Sequence, residues 1–157
     1  VASTPFLDID DDLAARVAVT AEEVGRLNPQ CGDMRQLGHL LLYEPEEGMA
    51  VGVKHVRDDE FWVPQHIPGR PLYPGVLMIE AAAQLASVYY RKKAGESRFL
   101  GFARCDGVVF RGQVVPGETM YFISREVSFS PRRFISELQG IVNGRLVFEA
   151  TITGMPM

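Results

Sequence analysis

Pro74-Gly75-Val76-Leu77-Met78-Ile79-Glu80-Ala81-Ala82-Ala83-Gln84-Leu85-Ala86-Ser87-Val88-Tyr89-Tyr90-Arg91-Lys92-Lys93-Ala94-Gly95 is the stretch on which the fold turns. From Gly75 to Ala94 it holds no proline and no second glycine, and alanine, the strongest helix former, is dense. Pro74 suits a helix start, where its missing N–H would have been unpaired anyway. Arg91, Lys92 and Lys93 suit the last turn, against the negative end of the helix dipole, and Gly95 suits termination. Apolar residues lie on nearly every side of the first four turns, which predicts a buried helix rather than a surface one.

Outward from this helix the chain reads as strands and turns. Before it, Met49–Val56 alternates as a strand. Residues 58–74 hold Pro64, Pro68, Pro71 and Pro74, a density that excludes a helix or an inner strand and predicts a stiff, extended loop. After it come strand-like runs over residues 99–115, 119–129, 134–142 and 145–153, with Asn143-Gly144 as a type I′ hairpin signal. In the last run Leu146, Phe148, Ala150 and Ile152 are expected on one face, as in an antiparallel sheet with one covered side. Upstream, Thr20-Ala21-Glu22-Glu23 has the spacing of a capping box and predicts a helix to about Leu27. Residues 29–48 read as a loop with a short strand, and residues 1–19 as a loosely structured lead-in. The simplest architecture is α+β: a curved antiparallel sheet wrapped around one long central helix.

Composition limits the function. The 157 residues suit one domain (1–157), with 46% hydrophobic and 23% charged residues. A net charge of −4 argues against nonspecific nucleic-acid binding. No apolar run reaches membrane-span length. Asp8, Asp10, Asp11 and Asp12 are wrong for a signal peptide, so the expectation is a cytoplasmic protein. Cys31 and Cys105 show no paired spacing and, with His39 and His55, no metal-ligand pattern. Phe61, Trp62, Phe102 and Phe110 read as core or pocket lining. Arg91, Lys92, Lys93, Arg98, Arg132 and Arg133 read as solvated charge, or as a basic rim for an acidic partner.

The chemistry concentrates in residues 61–84. His66 sits in the proline-rich loop. Gly75 lies in the first helical turn, where N–H groups have no intrahelical partner. Glu80 follows on an otherwise apolar helix, where burial would raise its pKa and keep it protonated. A general base, a general acid and a backbone donor for a carbonyl that gains charge suit the removal of a proton beside a carbonyl and the loss of a protonated hydroxyl. Gln84, one turn after Glu80 on the same face, reads either as a group that orients it or as a helix-packing residue.

The run His66-Ile67-Pro68-Gly69-Arg70-Pro71-Leu72-Tyr73-Pro74-Gly75-Val76-Leu77-Met78-Ile79-Glu80-Ala81-Ala82-Ala83-Gln84 closely resembles the signature of the β-hydroxyacyl-(acyl carrier protein) dehydratases of the FabZ type. That signature is roughly G-H-F-P-x-x-P-x-x-P-G-V-L-x-x-E-A-x-A-Q. The fourteen-residue step from His66 to Glu80 is kept, as are Pro68, Pro71 and Pro74. Phe110-Arg111, Val115-Pro116-Gly117-Glu118 and Val142-Asn143-Gly144 are similar to later landmarks of the family. The likeness spans about residues 49–153. Two departures stand out. Gln65 replaces the usual glycine before the histidine, and the family's Leu-Pro-His-Arg-Tyr-Pro-Phe segment is not recognisable at residues 27–34.

The resemblance implies a hotdog fold and a homodimer, often assembled as a trimer of dimers. It implies that His66 takes the α-proton, that Glu80 from the partner subunit protonates the departing β-hydroxyl, and that the Gly75 N–H holds the thioester carbonyl. Pro74, Val76, Gln84 and Phe110 would contact substrate. Glutamate at position 80, where FabA isomerase relatives carry aspartate, favours plain dehydration. The expected substrate is a (3R)-hydroxyacyl chain on acyl carrier protein and the product a trans-2-enoyl thioester, in fatty acid or related lipid biosynthesis, with no cofactor or metal. The competing expectations are a hotdog hydratase or thioesterase acting on acyl-CoA, and a noncatalytic acyl-thioester-binding module, which Gln65 favours.

Overall fold

A computed structural model describes residues 3–157. Ten short-range decisions along the chain give α1 (Asp11–Ala14), α2 (Ala21–Leu27), β1 (Leu40–Glu44), β2 (Met49–His55), α3 (Gly75–Ala94), β3 (Leu100–Phe110), β4 (Thr119–Ser130), β5 (Arg133–Val142) and β6 (Arg145–Pro156), with a 3-10 turn at Gly32–Met34. The six strands form one antiparallel sheet in the order β1-β2-β4-β5-β6-β3. α3 packs against β2, β3, β4, β5 and β6, so the sheet wraps around it. This is the α+β hotdog arrangement expected from the sequence. No described helix is long and apolar enough to cross a membrane.

The core explains the alanines. Ala81, Ala82 and Ala86 are fully buried, and their small side chains let the helix axis approach the sheet, where Leu85, Tyr90, Phe122 and Phe148 fill the space between. Gly95 ends α3 in the left-handed conformation, its N–H returned to the Arg91 carbonyl. Asn143 and Gly144 both have positive φ, as a type I′ turn between β5 and β6 requires.

Several expectations need correction. α3 is not covered on all sides: Val76 is exposed, and Ile79, Glu80, Ala83 and Ser87 are only half-buried. Residues 58–70 are not extended, and only residues 71–74 run on without a turn, with Pro74 in the extended region. Backbone bonds from Val63 to Glu60 and from Gln65 and His66 to Trp62 fold the first part into turns. Ile67-Pro68-Gly69-Arg70 then closes a type II turn, with Gly69 at φ 76. The strand expected to reach residue 115 stops at Phe110, because the Val114 carbonyl instead accepts the Tyr73 N–H.

β6 carries a bulge that the alternation did not reveal. Phe148 pairs with Gly140 and Leu146 with Ile141, so Val147 is the extra residue. Val147 therefore joins Phe148 in the core, and Leu146 turns to the outer face. That outer face is also partly covered. Leu41, Val51, Ile123 and Ile141 pack there with Leu13 and Phe6. The lead-in is thus more structured than expected. Asp10 caps α1 through the Leu13 N–H at 2.8 Å, Leu13 is buried, and Val19 bridges to Leu40. The buried Gln139 side chain accepts from the Phe6 N–H and donates to the Thr4 carbonyl. At α2, Thr20 caps the Glu23 N–H as expected, but the Glu23 carboxylate does not close the box; it pairs with Lys92.

Candidate active site

His66 is held by three bonds. Its N–H donates to the Trp62 carbonyl, its carbonyl accepts from the Leu72 N–H, and its Nδ1 lies 2.9 Å from the Leu72 carbonyl oxygen. A carbonyl only accepts, so Nδ1 carries the proton, and a neutral ring keeps its lone pair on Nε2. The ring is exposed, and the His66–Ile67 peptide bond is cis. Gln65 is exposed as well, and its φ is not positive. A side chain is therefore accommodated there in ordinary backbone geometry.

The turns that carry His66 are anchored from below. Lys54 on β2 forms an almost fully buried ion pair with Glu60, whose second oxygen accepts the Arg57 N–H at 2.8 Å. The Lys54 ammonium lies 5.5 Å from the centre of the Tyr73 ring, and Tyr73 packs against Trp62. Neither half of this pair stood out in the sequence, since each is an ordinary charged residue until the fold brings them together.

Glu80 lies on the half-buried stripe of α3, one turn before Gln84. The Gln84 Nε2 donates to Glu80 Oε1 at 2.9 Å and to the Met34 carbonyl at 2.7 Å, while its Oε1 accepts the N–H groups of both Gln36 and Leu37 at 3.0 Å. Two backbone N–H groups on one end fix which end is the oxygen, so the amide must present a donor to Glu80. Gln36 is tied down in turn. Its amide donates to the Asp33 carbonyl and accepts from the Tyr73 hydroxyl at 2.9 Å. Asn28 latches the preceding segment to the Gln84 carbonyl and accepts the Ser87 hydroxyl. Burial raises the Tyr73 hydroxyl well above its ordinary value, with the carboxylates of Glu60 and Glu80 adding to it, so it stays a neutral donor.

Gly75 opens α3. The N–H groups of Gly75 and Val76 have no protein acceptor among the described residues. The absence of a side chain at Gly75 has a cause: a Cβ there would lie 2.8 Å from the Phe110 ring. Phe110 is half exposed and packs on Phe148. Pro74 is buried beside it, and Val76 is exposed.

A cavity of about 170 Å³ runs along the helix stripe, lined by Glu80, Ala83, Ser87, Arg91, Phe99 and Phe102 among others. His66 does not line it. One chain thus brings Glu80 and Gln84 together, and Gly75 and Phe110 together, but leaves His66 outside the Glu80 cavity. Arg91 also corrects an expectation: it is buried rather than solvated. Lys92, Lys93 and Arg98 are engaged by Glu23, Glu126 and Glu96. Burial lowers His39 below its ordinary value, and His55 bonds Thr119.

The FabA-like domain family matches residues 29–151. This chain belongs to that family. A 3-hydroxyacyl-[acyl-carrier-protein] dehydratase FabZ from Roseiflexus sp. (strain RS-1) is 36% identical over 140 residues, covering 85% of this chain and 94% of the relative. A protein of the same name from Escherichia coli O9:H4 (strain HS) is 37% identical over 114 residues, covering 68% and 74%. Among solved structures, the dehydratase heterocomplex ApeI:P from Xenorhabdus doucetiae superposes with a TM-score of 0.72 at 16% identity, covering 85% of this chain and 90% of that one. At that identity the superposition speaks for the FabA-like fold alone.

Proposed function

We propose that this protein removes water from (3R)-hydroxyacyl thioesters carried on acyl carrier protein and forms trans-2-enoyl thioesters. The observation that carries the reading is the matched preparation of two side chains at the family's spacing. His66 is committed through Nδ1 and Glu80 is bonded by Gln84 on Oε1, while the His66 Nε2 and the Glu80 Oε2 have no partner among the described residues. The relatives named above support the substrate class.

In this mechanism the His66 Nε2 takes the proton from C2. The C–H electrons become the C2=C3 double bond as the C3–O bond breaks. The departing oxygen takes a proton from Glu80 Oε2 and leaves as water. Charge building on the thioester carbonyl is met by the Gly75 N–H at the positive end of α3. Afterwards the imidazolium returns a proton to the carboxylate. Pro74, Val76 and Phe110 border the Gly75 N–H and would seat the thioester. No step calls for a metal or cofactor.

The acting unit is a pair of chains. β3 is an edge strand, so one row of its backbone groups is unpaired, and it carries the half-exposed Phe102 and Phe110 beside the exposed Val76. Pairing two copies along β3 would cover these rings and bring one chain's His66 to the other's Glu80. Three such pairs could then assemble further. The free thiols of Cys31 and Cys105 fit work in the reducing cytoplasm.

The test is to incubate the protein with a 3-hydroxyacyl carrier-protein thioester and follow the absorbance of the conjugated enoyl group. It is expected to rise in wild type and to be lost in His66→Ala and Glu80→Gln. An inert wild type favours a binding module, and release of free thiol without enoyl product favours a thioesterase.

A further inference from the structure

The cavity beside Glu80 does not end as an apolar acyl tunnel should. Ala83, Phe99, Leu100, Phe102, Phe134 and Ile152 give it greasy walls, yet Arg91 stands at its far end, 7% exposed. Arg91, Pro29 and Phe99 also line an outer groove with Arg26 and Glu96, so the guanidinium divides the inner cavity from that groove.

This cation is poorly matched. Its Nε donates to the Ser87 hydroxyl at 3.4 Å and one terminal nitrogen to the Glu96 carbonyl at 3.3 Å, both long and both to neutral acceptors. No carboxylate forms a salt bridge with it among the described residues, and the Glu96 carboxylate is bonded by Arg98 instead. Burial pulls its pKa down. Taking a guanidinium out of water is costly when the one nearby carboxylate, Glu96, only partly offsets it and is itself bonded by Arg98, and a planar carboxylate matches its donor fork. On the same wall the Gln30 amide oxygen is buried without a partner among the described residues. Turned over, that amide would present its NH2 to an acceptor at the same end.

We propose that this cavity takes an acyl chain bearing a carboxylate at its far end, held by Arg91 and the Gln30 amide. The inference rests on the thioester reading above. It fits the spacing along the helix. Arg91 leans back toward Ser87, one turn earlier, and seven residues separate Glu80 from Ser87, about 10 Å of helix. The reacting C3 would lie at Glu80 and the distant carboxylate at the Ser87 level, with methylenes between them against Ala83 and Phe102. A methyl-ended chain of the same length would bury Arg91 further and offer it nothing.

The test uses unreactive pantetheine thioesters of equal carbon number that end in methyl or in carboxylate, in a series of lengths, titrated calorimetrically into the intact protein. A charge-assisted pair is expected to favour the carboxylate end by about tenfold or more. Arg91→Met should abolish that preference, and Arg91→Lys should retain part of it. Equal affinity for both ends, tighter binding of the methyl end, no binding of either, or a preference that survives Arg91→Met overturns the inference. Wild type gives the preference directly, so the inference stays testable if Arg91→Met folds poorly. Dehydration of the matching 3-hydroxy thioesters, followed in parallel, judges the parent reading separately. Turnover of methyl-ended chains with no carboxylate preference leaves the dehydratase standing and removes this inference. A carboxylate preference without turnover of either does the reverse.

Discussion

Gln84 is the residue on which most of the site's geometry converges. It bonds the carboxylate of Glu80 with one hydrogen while its oxygen holds two backbone N–H groups of the segment that follows the 3-10 turn. Two substitutions separate these duties. Gln84→Leu strands the N–H groups of Gln36 and Leu37, each costing about 1–3 kcal/mol when buried, so urea unfolding should show a clear loss of stability along with activity. Gln84→Glu keeps an acceptor for those N–H groups but removes the donor facing Glu80. Its unfolding midpoint should stay nearer wild type while kcat falls by about 100-fold, the lower end of what a general acid contributes. A Gln84→Glu protein with wild-type kcat would remove Gln84 from the positioning role. His39 gives a residue-scale test of the fold itself. Its folded value lies below the ordinary 6.5 because burial disfavours the charged ring. Below 6.5 the unfolded chain binds more protons than the folded one, so stability should fall as pH drops through that value and level off below the folded value. The denaturant midpoint measured against pH checks this, and His39→Gln should flatten the slope.

Among the elements, the loop from Arg57 to Tyr73 owes its shape to the buried Lys54–Glu60 pair as much as to its prolines. Glu60→Gln leaves the ammonium buried without its counter-charge. It should destabilise the protein by about 3 kcal/mol, measurable by chemical denaturation, and should slow dehydration through His66. A neutral result would mean that the turns hold without the pair. This element also shows what could be read from the sequence. The prolines excluded helix and inner strand, but they could not reveal that backbone bonds to Trp62 and Glu60 fold the loop into turns. α3 was legible from Pro74 to Gly95, because helix propensity and both end signals agree locally. Glu80 and Gln84 were legible because polar residues stand out on an apolar helix. Gln36, Tyr73 and Lys54 were not, because their partners lie far away in sequence. The Val147 bulge was invisible for a related reason: alternation in one strand does not report the register of its neighbour.

At the scale of the molecule, the proposed site asks for two chains. The sheet has an edge at β3 with exposed rings, and the cavity that holds Glu80 lacks His66. The N-terminal residues behave differently, since they fold back on the outer face and cover Leu41, Val51 and Ile123. In the proposed pairing, β3 is the side on which a second copy would complete the chemistry. The most direct measurement mixes two inactive proteins, His66→Ala and Glu80→Gln, under conditions that exchange subunits, and follows the enoyl absorbance from a 3-hydroxyacyl carrier-protein thioester. A composite site predicts that each protein alone is inert and that the mixture recovers a fraction of the wild-type rate, because mixed pairs hold one site with both residues intact. No recovery, with subunit exchange demonstrated by mass spectrometry of the intact assembly, would contradict the shared site.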